Sequence, residues 1–238
     1  VRLAWIVIRS VMAIAVAAAT IVTYQGSAAF WAREGFQDLV TPNVNFFSFF
    51  TVLSNIASIA VFAIGAIILA RGATTDPRWF GILRACVVTA MVVTGIVYNL
   101  LLRGLNVTGG GADQPWTNEV MHVVAPIVIL LDWLFAPGRP VLGWKHIGTI
   151  LIFPLSWVAY TLIRGPLVWD QVFDKPYWYP YPFLNPNLQD NGYWSVAMWV
   201  VIISVVFAVI ATAVVWISRH HERWPLRATA DSKPRNAG

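Results

Sequence analysis

A chain of 238 residues with 58% hydrophobic and only 11% charged residues lies far below the roughly 25% charged residues of a soluble domain, which excludes a soluble globular enzyme and points to a membrane protein. The net charge of +5 is not a nucleic-acid footprint, because the basic residues sit in short connections and the tail instead of forming a stripe. One cysteine, Cys86, falls within an apolar segment, so no intrachain disulfide is possible and a packing role is expected.

In chain order, six segments pass the length test for spanning helices: Leu3–Tyr24, Phe46–Ala70, Phe80–Leu102, Asn118–Phe135, Ile147–Ile163 and Trp194–Ser218. The first is too long for a signal-peptide core and is read as a span. Turn signals separate them: Thr41-Pro42-Asn43, Asp76-Pro77, Gly109-Gly110-Gly111, Pro137-Gly138-Arg139-Pro140 and the proline-rich run from Pro176 to Pro186. The expected fold is all-α, a polytopic bundle of six transmembrane helices over residues 1–218, followed by a polar, mobile tail over 219–238. Pro126 and Pro154 lie inside spans four and five, where each removes a helical hydrogen bond and predicts a kink. Thirteen Trp and seven Tyr suit aromatic belts at two interfaces.

Lysine and arginine set the expected orientation. Arg2, Arg9, Arg71, Arg78, Arg84, Arg139, Lys145 and five tail residues fall on one side, against Arg33, Arg103, Arg164 and Lys175 on the other. The positive-inside rule then puts both termini in the cytoplasm. The Asn106-Val107-Thr108 sequon falls on the outer side.

That topology brings polar residues to one depth. Ser48, Thr51, Asn55 and Ser58 recur at spacings of three, four and three, so one helix would carry them on one face. Asn99 and Arg103 close span three, Glu119 and His122 open span four, and Ser156, Tyr160 and Arg164 climb the end of span five. The outer connection adds the aromatic run around Tyr181, while the inner halves of the spans read as almost purely aliphatic. Such segregation by depth favours a site over random interhelical glue.

Few chemistries fit that residue set. Zinc needs three or four ligands, and a di-iron centre needs two Glu-x-x-His repeats where this chain has one. Bis-histidine haem is excluded by depth, and no span carries a lysine for a retinal Schiff base. No metal or cofactor is therefore expected. Nucleophilic chemistry remains: a Ser or Thr hydroxyl needs a base to take its proton, which His122 can supply. Asn55, Asn99, Tyr160 or Arg164 would stabilise an oxyanion, and Arg103 or Arg164 would meet a carboxylate or headgroup.

Three pieces of the chain carry a resemblance: FFTVLSN with IAVFAI behind it (Phe49–Ile64), MHVVAP followed by ILLDW (Met121–Trp133), and YPYPFL (Tyr179–Leu184). In their order across six spans the chain resembles the androgen-induced, FAR-17a-like family of membrane proteins. Animal members are threonine hydrolases of fatty acid esters of hydroxy fatty acids, and the resemblance implies the same fold and activity here. It also implies that His122, in its Met-His pair, is the base. Aligning on the apolar run puts Thr51 at the nucleophile, whereas aligning on the preceding aromatics puts Ser48 there. Thr51 is preferred because it keeps the residue type and the longer match. The Ser54-Asn55 pair and a longer fifth-to-sixth connection depart from the animal pattern.

Two function classes follow. The first is a membrane-embedded esterase of lipid esters, with Thr51 and His122 catalytic and Ser48, Asn55, Asn99, Arg103, Tyr160, Arg164 and Tyr181 around the substrate. The second is a non-catalytic lipid-binding protein or a small-solute transporter. An off-centre polar layer and the lack of an internal repeat count against transport. The bilayer is the expected partner, and the oligomeric state is left open.

Overall fold

The computed structural model of the protein describes residues 1–105 and 114–220. The glycine run at 109–111, the sequon at 106–108 and the tail from 221 onward lie outside the described residues. The elements are α1 (Arg2–Arg33), α2 (Val40–Ser48), α3 (Phe50–Ala70), α4 (Arg78–Val97), α5 (Pro115–Glu119), α6 (Ala125–Phe135), α7 (His146–Arg164) and α8 (Tyr193–His220). A π-helical turn over Tyr98–Leu102 continues α4, and a second over Val120–Val124 joins α5 to α6. Among the described residues, six helices are thus long and apolar enough to cross a membrane. The chain is an all-α, multi-pass integral membrane bundle.

Its two ends are called proximal, where α1 begins and α8 finishes, and distal, where α1 finishes and α8 begins. At about 1.5 Å per residue α1 is roughly 48 Å long, well beyond a hydrocarbon core of about 30 Å. It runs past Tyr24 because nothing in Gln25–Arg33 breaks a helix, and Trp31 and Tyr24 pack there against Phe46 of α2. The central helix is α4, which touches α3, α6, α7 and α8. One apolar cluster fills the proximal half around Phe62, Phe80, Met91 and Trp133. A second fills the distal half around Phe50, Leu102, Phe183 and Phe207. Large side chains of α7 and α8 such as Ile152, Ile163, Ile202 and Val209 stay exposed, as suits a lipid-facing surface.

Two expectations are corrected. The polar face from Ser48 to Ser58 does not lie on one helix, because the backbone is extended at Phe49 (φ −64°, ψ 129°), which ends α2 and starts α3. Thr51, Asn55 and Ser58 therefore share α3 while Ser48 belongs to α2. The break frees the Ser48 carbonyl, and the Trp157 indole N–H donates to it at 2.9 Å.

Nor are the proximal halves purely aliphatic. Arg9 of α1 forks onto the Asp132 carboxylate of α6 at 2.6 and 3.2 Å and donates to the Gly65 carbonyl at 2.8 Å. Arg84 of α4 donates to Asp132 Oδ2 at 2.7 Å and also pairs with Asp76. All four charged side chains are 4% exposed or less. A lone charge in hydrocarbon is costly, so each arginine here is spent on a carboxylate instead of marking an interfacial loop. Gly65 permits this approach, since a Cβ there would stand 2.8 Å from Arg9 Nη1.

Candidate functional site

The two π turns face each other in the distal half, and each contributes one ring to a stack. Tyr98 and His122 lie with ring centroids 3.9 Å apart and planes 26° apart. π turns widen a helix by one residue and turn side chains off the regular 3.6-residue face. Their close approach depends on Gly95, whose absent Cβ would stand 3.0 Å from Pro126. Pro126 has no N–H, so the carbonyl four residues earlier, that of His122, loses its helical donor. Asn99 Nδ2 answers that carbonyl at 3.3 Å, and Asn55 Nδ2 answers the neighbouring Met121 carbonyl at 3.2 Å.

The His122 ring is fixed from its own helix. Its Nδ1 lies 3.0 Å from the Asn118 carbonyl. A carbonyl only accepts, so Nδ1 carries a hydrogen, and in the neutral imidazole Nε2 then carries the lone pair. No described residue bonds Nε2. The Asn118 side chain donates to the Tyr98 hydroxyl, which holds the stacking partner as well.

Thr51 sits in the first turn of α3, where backbone N–H groups lack helical acceptors. The Tyr181 hydroxyl accepts from the Thr51 N–H at 3.2 Å and shares a second hydrogen bond with Thr51 Oγ1, also at 3.2 Å. Burial pushes the Tyr181 phenol up from its ordinary range, against the pull of the Thr51 hydroxyl and the Thr51 and Phe50 amides. Tyr181 therefore stays a neutral phenol at physiological pH.

Thr51, Tyr181 and His122, with Thr23, Tyr98 and Met121, line one cavity of about 320 Å³. Thr51 and His122 make no hydrogen bond to each other across it. A second cavity of about 420 Å³ lies between α3, α4, α7 and α8, walled by Phe50, Leu151, Val200, Ser204 and Phe207. Thr51, Leu102 and Tyr181 line both cavities. Thr51 thus stands where a chamber of mixed lining meets an almost wholly apolar one.

The remaining residues expected at the site lie elsewhere. Ser48 Oγ is occupied by the Val44 carbonyl at 2.6 Å and by the Tyr160 hydroxyl at 2.9 Å, and neither residue lines the Thr51–His122 cavity. Arg164 donates to Asn45 Oδ1 at 2.7 Å and lies 5.2 Å from the Trp178 ring centre, away from His122. Arg103 forks onto Glu119 at 2.7 and 3.2 Å on the exposed side of Tyr98. Asn55 is fully buried and Asn99 exposed, and both hold backbone carbonyls beside His122 instead of lining the cavity. Helix-face reasoning missed Tyr98 and Asn118. The four-residue spacings Asn118–His122–Pro126 were the available signal. Among the described residues, no group of three or more His, Cys, Asp or Glu is placed to hold a metal ion.

No family model matches the chain, and neither a curated protein nor a solved structure matches it.

Proposed function

We propose that the protein is a membrane-embedded esterase that hydrolyses lipid esters, such as fatty acid esters of hydroxy fatty acids, with Thr51 as nucleophile and His122 as base. The observation that carries this reading is that His122, its Nδ1 held by the Asn118 carbonyl, lines the same cavity as Thr51. Thr51 Oγ1 attacks the ester carbonyl as Nε2 takes its proton, and the alcohol leaves with that proton. Water then attacks the threonyl ester, Nε2 again accepting a proton, and releases the acid and Thr51. The Tyr181 O–H, anchored by the Thr51 amide, stands beside the oxyanion formed in both steps. Catalytic hydrogen bonds are commonly looser before substrate binds, so a cavity between the pair is compatible with this chemistry. The resemblance of the Met-His and YPFL segments to the androgen-induced family supports the same roles. The proximal end faces the cytoplasm in this reading.

Labelling with a fluorophosphonate probe in native membranes tests it. Wild type is expected to be labelled, and Thr51→Ala and His122→Ala to stay unlabelled at equal abundance. A non-catalytic lipid-binding protein is the second reading, favoured by the apolar cavity. It predicts saturable retention of an ester without turnover.

A further inference from the structure

The apolar cavity is open at its side. Leu155 of α7 and Val201 and Val205 of α8 wall it and are at the same time 48%, 62% and 56% exposed, which a closed interior wall would not allow. On α7 the wall recurs at Leu151, Leu155 and Val158, and on α8 at Val201, Ser204, Val205 and Ala208. Each set is one helical face, so the two faces stand across the cavity from each other. Small residues four apart usually let two helices close together, yet Ser204 and Ala208 border the cavity instead. The helices are tied at their ends. Distally, the Tyr179 ring fits against Gly165, just past α7, where a Cβ would strike it, and its hydroxyl lies 3.2 Å from that of Tyr193, the first residue of α8. Proximally, Ser218 of α8 accepts from the Leu142 N–H, in the connection before α7, at 3.1 Å. Between the ties lies a slit.

Depth names what can enter it. Trp194, exposed at the start of α8, marks the distal interface. Val201 and Val205 lie further along the same helix by roughly 10 and 17 Å, within a hydrocarbon layer about 30 Å thick. At that level the bilayer offers acyl chains and no headgroups. Apart from Thr51, Thr94, Ser204 and Tyr181, every residue lining the cavity is aliphatic or aromatic. We infer that the seam between α7 and α8 is a side entrance through which the acyl chain of a lipid ester passes from the bilayer into this cavity. The inference rests on the reading of Thr51 and His122 as the reacting pair. His122 returns its proton to the leaving alcohol, so the alcohol half lies in the cavity that His122 lines and the acid half in the one behind Thr51. Tyr181, which lines both, stands at the carbonyl between them.

The test uses the full chain in lipid nanodiscs and a long-chain dialkyl ether with a diazirine at one chain end, which cannot be hydrolysed. In a Cys86→Ser background, Leu155→Cys and Val205→Cys are bridged by bis-methanethiosulfonates of graded length, each bridge verified by mass, and reopened with reductant. With the seam open, labelled peptides are expected to fall in 151–158 and 200–208 and to vanish under excess unlabelled ether. Bridging is expected to remove that competable labelling and the cleavage of a long-chain ester, and reduction to restore both. Capping the two cysteines with methyl methanethiosulfonate is expected to change neither. Competable labelling that survives bridging overturns the inference, as does a failure of every reagent to bridge the pair or a loss produced by the caps alone. An ether that labels through the open seam, beside an ester that is never cleaved, would sink the esterase and keep the entrance. An ester cleaved as fast after bridging would do the reverse.

Discussion

The Tyr181 hydroxyl stands 3.2 Å from the Thr51 amide nitrogen and 3.2 Å from Thr51 Oγ1, so one phenol meets the backbone N–H and the hydroxyl of a residue in the first turn of α3. Accepting from the amide leaves the O–H free to donate toward Oγ1 or toward the former carbonyl oxygen of an ester that Oγ1 has attacked. Tyr181→Phe is therefore expected to lower kcat for ester hydrolysis by about 10²-fold, with KM close to wild type. Because burial favours the neutral phenol, the donating form persists beyond the ordinary phenol range near pH 10. The pH–rate profile should show no alkaline limb from this group below that value. Full turnover in the phenylalanine variant would remove Tyr181 from the mechanism.

In the proposed mechanism Thr51 and His122 act on one proton, so their substitutions should not add. Thr51→Ala and His122→Ala are each expected to abolish hydrolysis, with the double variant hardly worse, as for groups that work as a unit. Thr51→Ser should retain activity and Thr51→Val none. Ser48→Ala separates the two alignments of the resembling segment. The Ser48 hydroxyl is already engaged by Val44 and Tyr160, so near-normal turnover is expected. Complete loss there, with Thr51→Val still active, would move the nucleophile to Ser48.

The spans were legible because a long apolar run has few structural solutions in a bilayer. Their ends and breaks were less so. Phe49 carries no proline or glycine signal, and its extended backbone is held by tertiary partners, Trp157 on the freed carbonyl and Tyr181 on the new helix start. The π turns likewise follow from the Gly95–Pro126 contact between two helices, which no single-helix periodicity contains. Thr51, His122 and Tyr181 were read at one depth, and they line one cavity. Arg164 and Tyr160 were read at the same depth but lie behind Ser48 and Asn45, since depth says nothing of the azimuth of a helix. Asp132 was available as a warning: a carboxylate inside an apolar span needs a partner, and Arg9 and Arg84 supply it.

That carboxylate should dominate the stability of the proximal half. Replacing Asp132 with Ala strands the buried Arg9 guanidinium and leaves Arg84 with Asp76 alone, a loss of about 3–5 kcal/mol by the rule for broken buried pairs. Arg9→Met should cost less, because Arg84 still neutralises Asp132. Unfolding in mixed micelles under increasing denaturing detergent gives the ranking. An Asp132→Ala protein as stable as wild type would show that the ion network contributes nothing.

Orientation is open to labelling with a membrane-impermeant maleimide in a Cys86→Ser background. Cysteines at the exposed positions Asp174, distal, and Thr75, proximal, are expected to react in intact cells and only after permeabilisation, respectively. Asp76 is unsuited to the purpose because it is buried against Arg84. The reverse pattern would invert the bundle and put the Thr51 cavity on the cytoplasmic side.

The apolar cavity offers a prediction about substrate size. Its walls come from α3, α4, α7 and α8, and Ser204 of α8 is among them, remote in sequence from every polar residue of the other cavity. If a hydrocarbon arm of the ester lies there, Ser204→Trp displaces part of it from the α8 wall. Each buried methylene contributes about 0.8 kcal/mol, so expelling two lowers kcat/KM by about tenfold. A long-chain ester should show that loss, while a short acyl ester of the same alcohol should be cleaved at the wild-type rate. Comparing the two esters on one preparation cancels differences in folding and abundance. Equal loss on both would mean that the tryptophan disturbs Thr51 itself, and no loss on either would place the hydrocarbon arm outside this cavity.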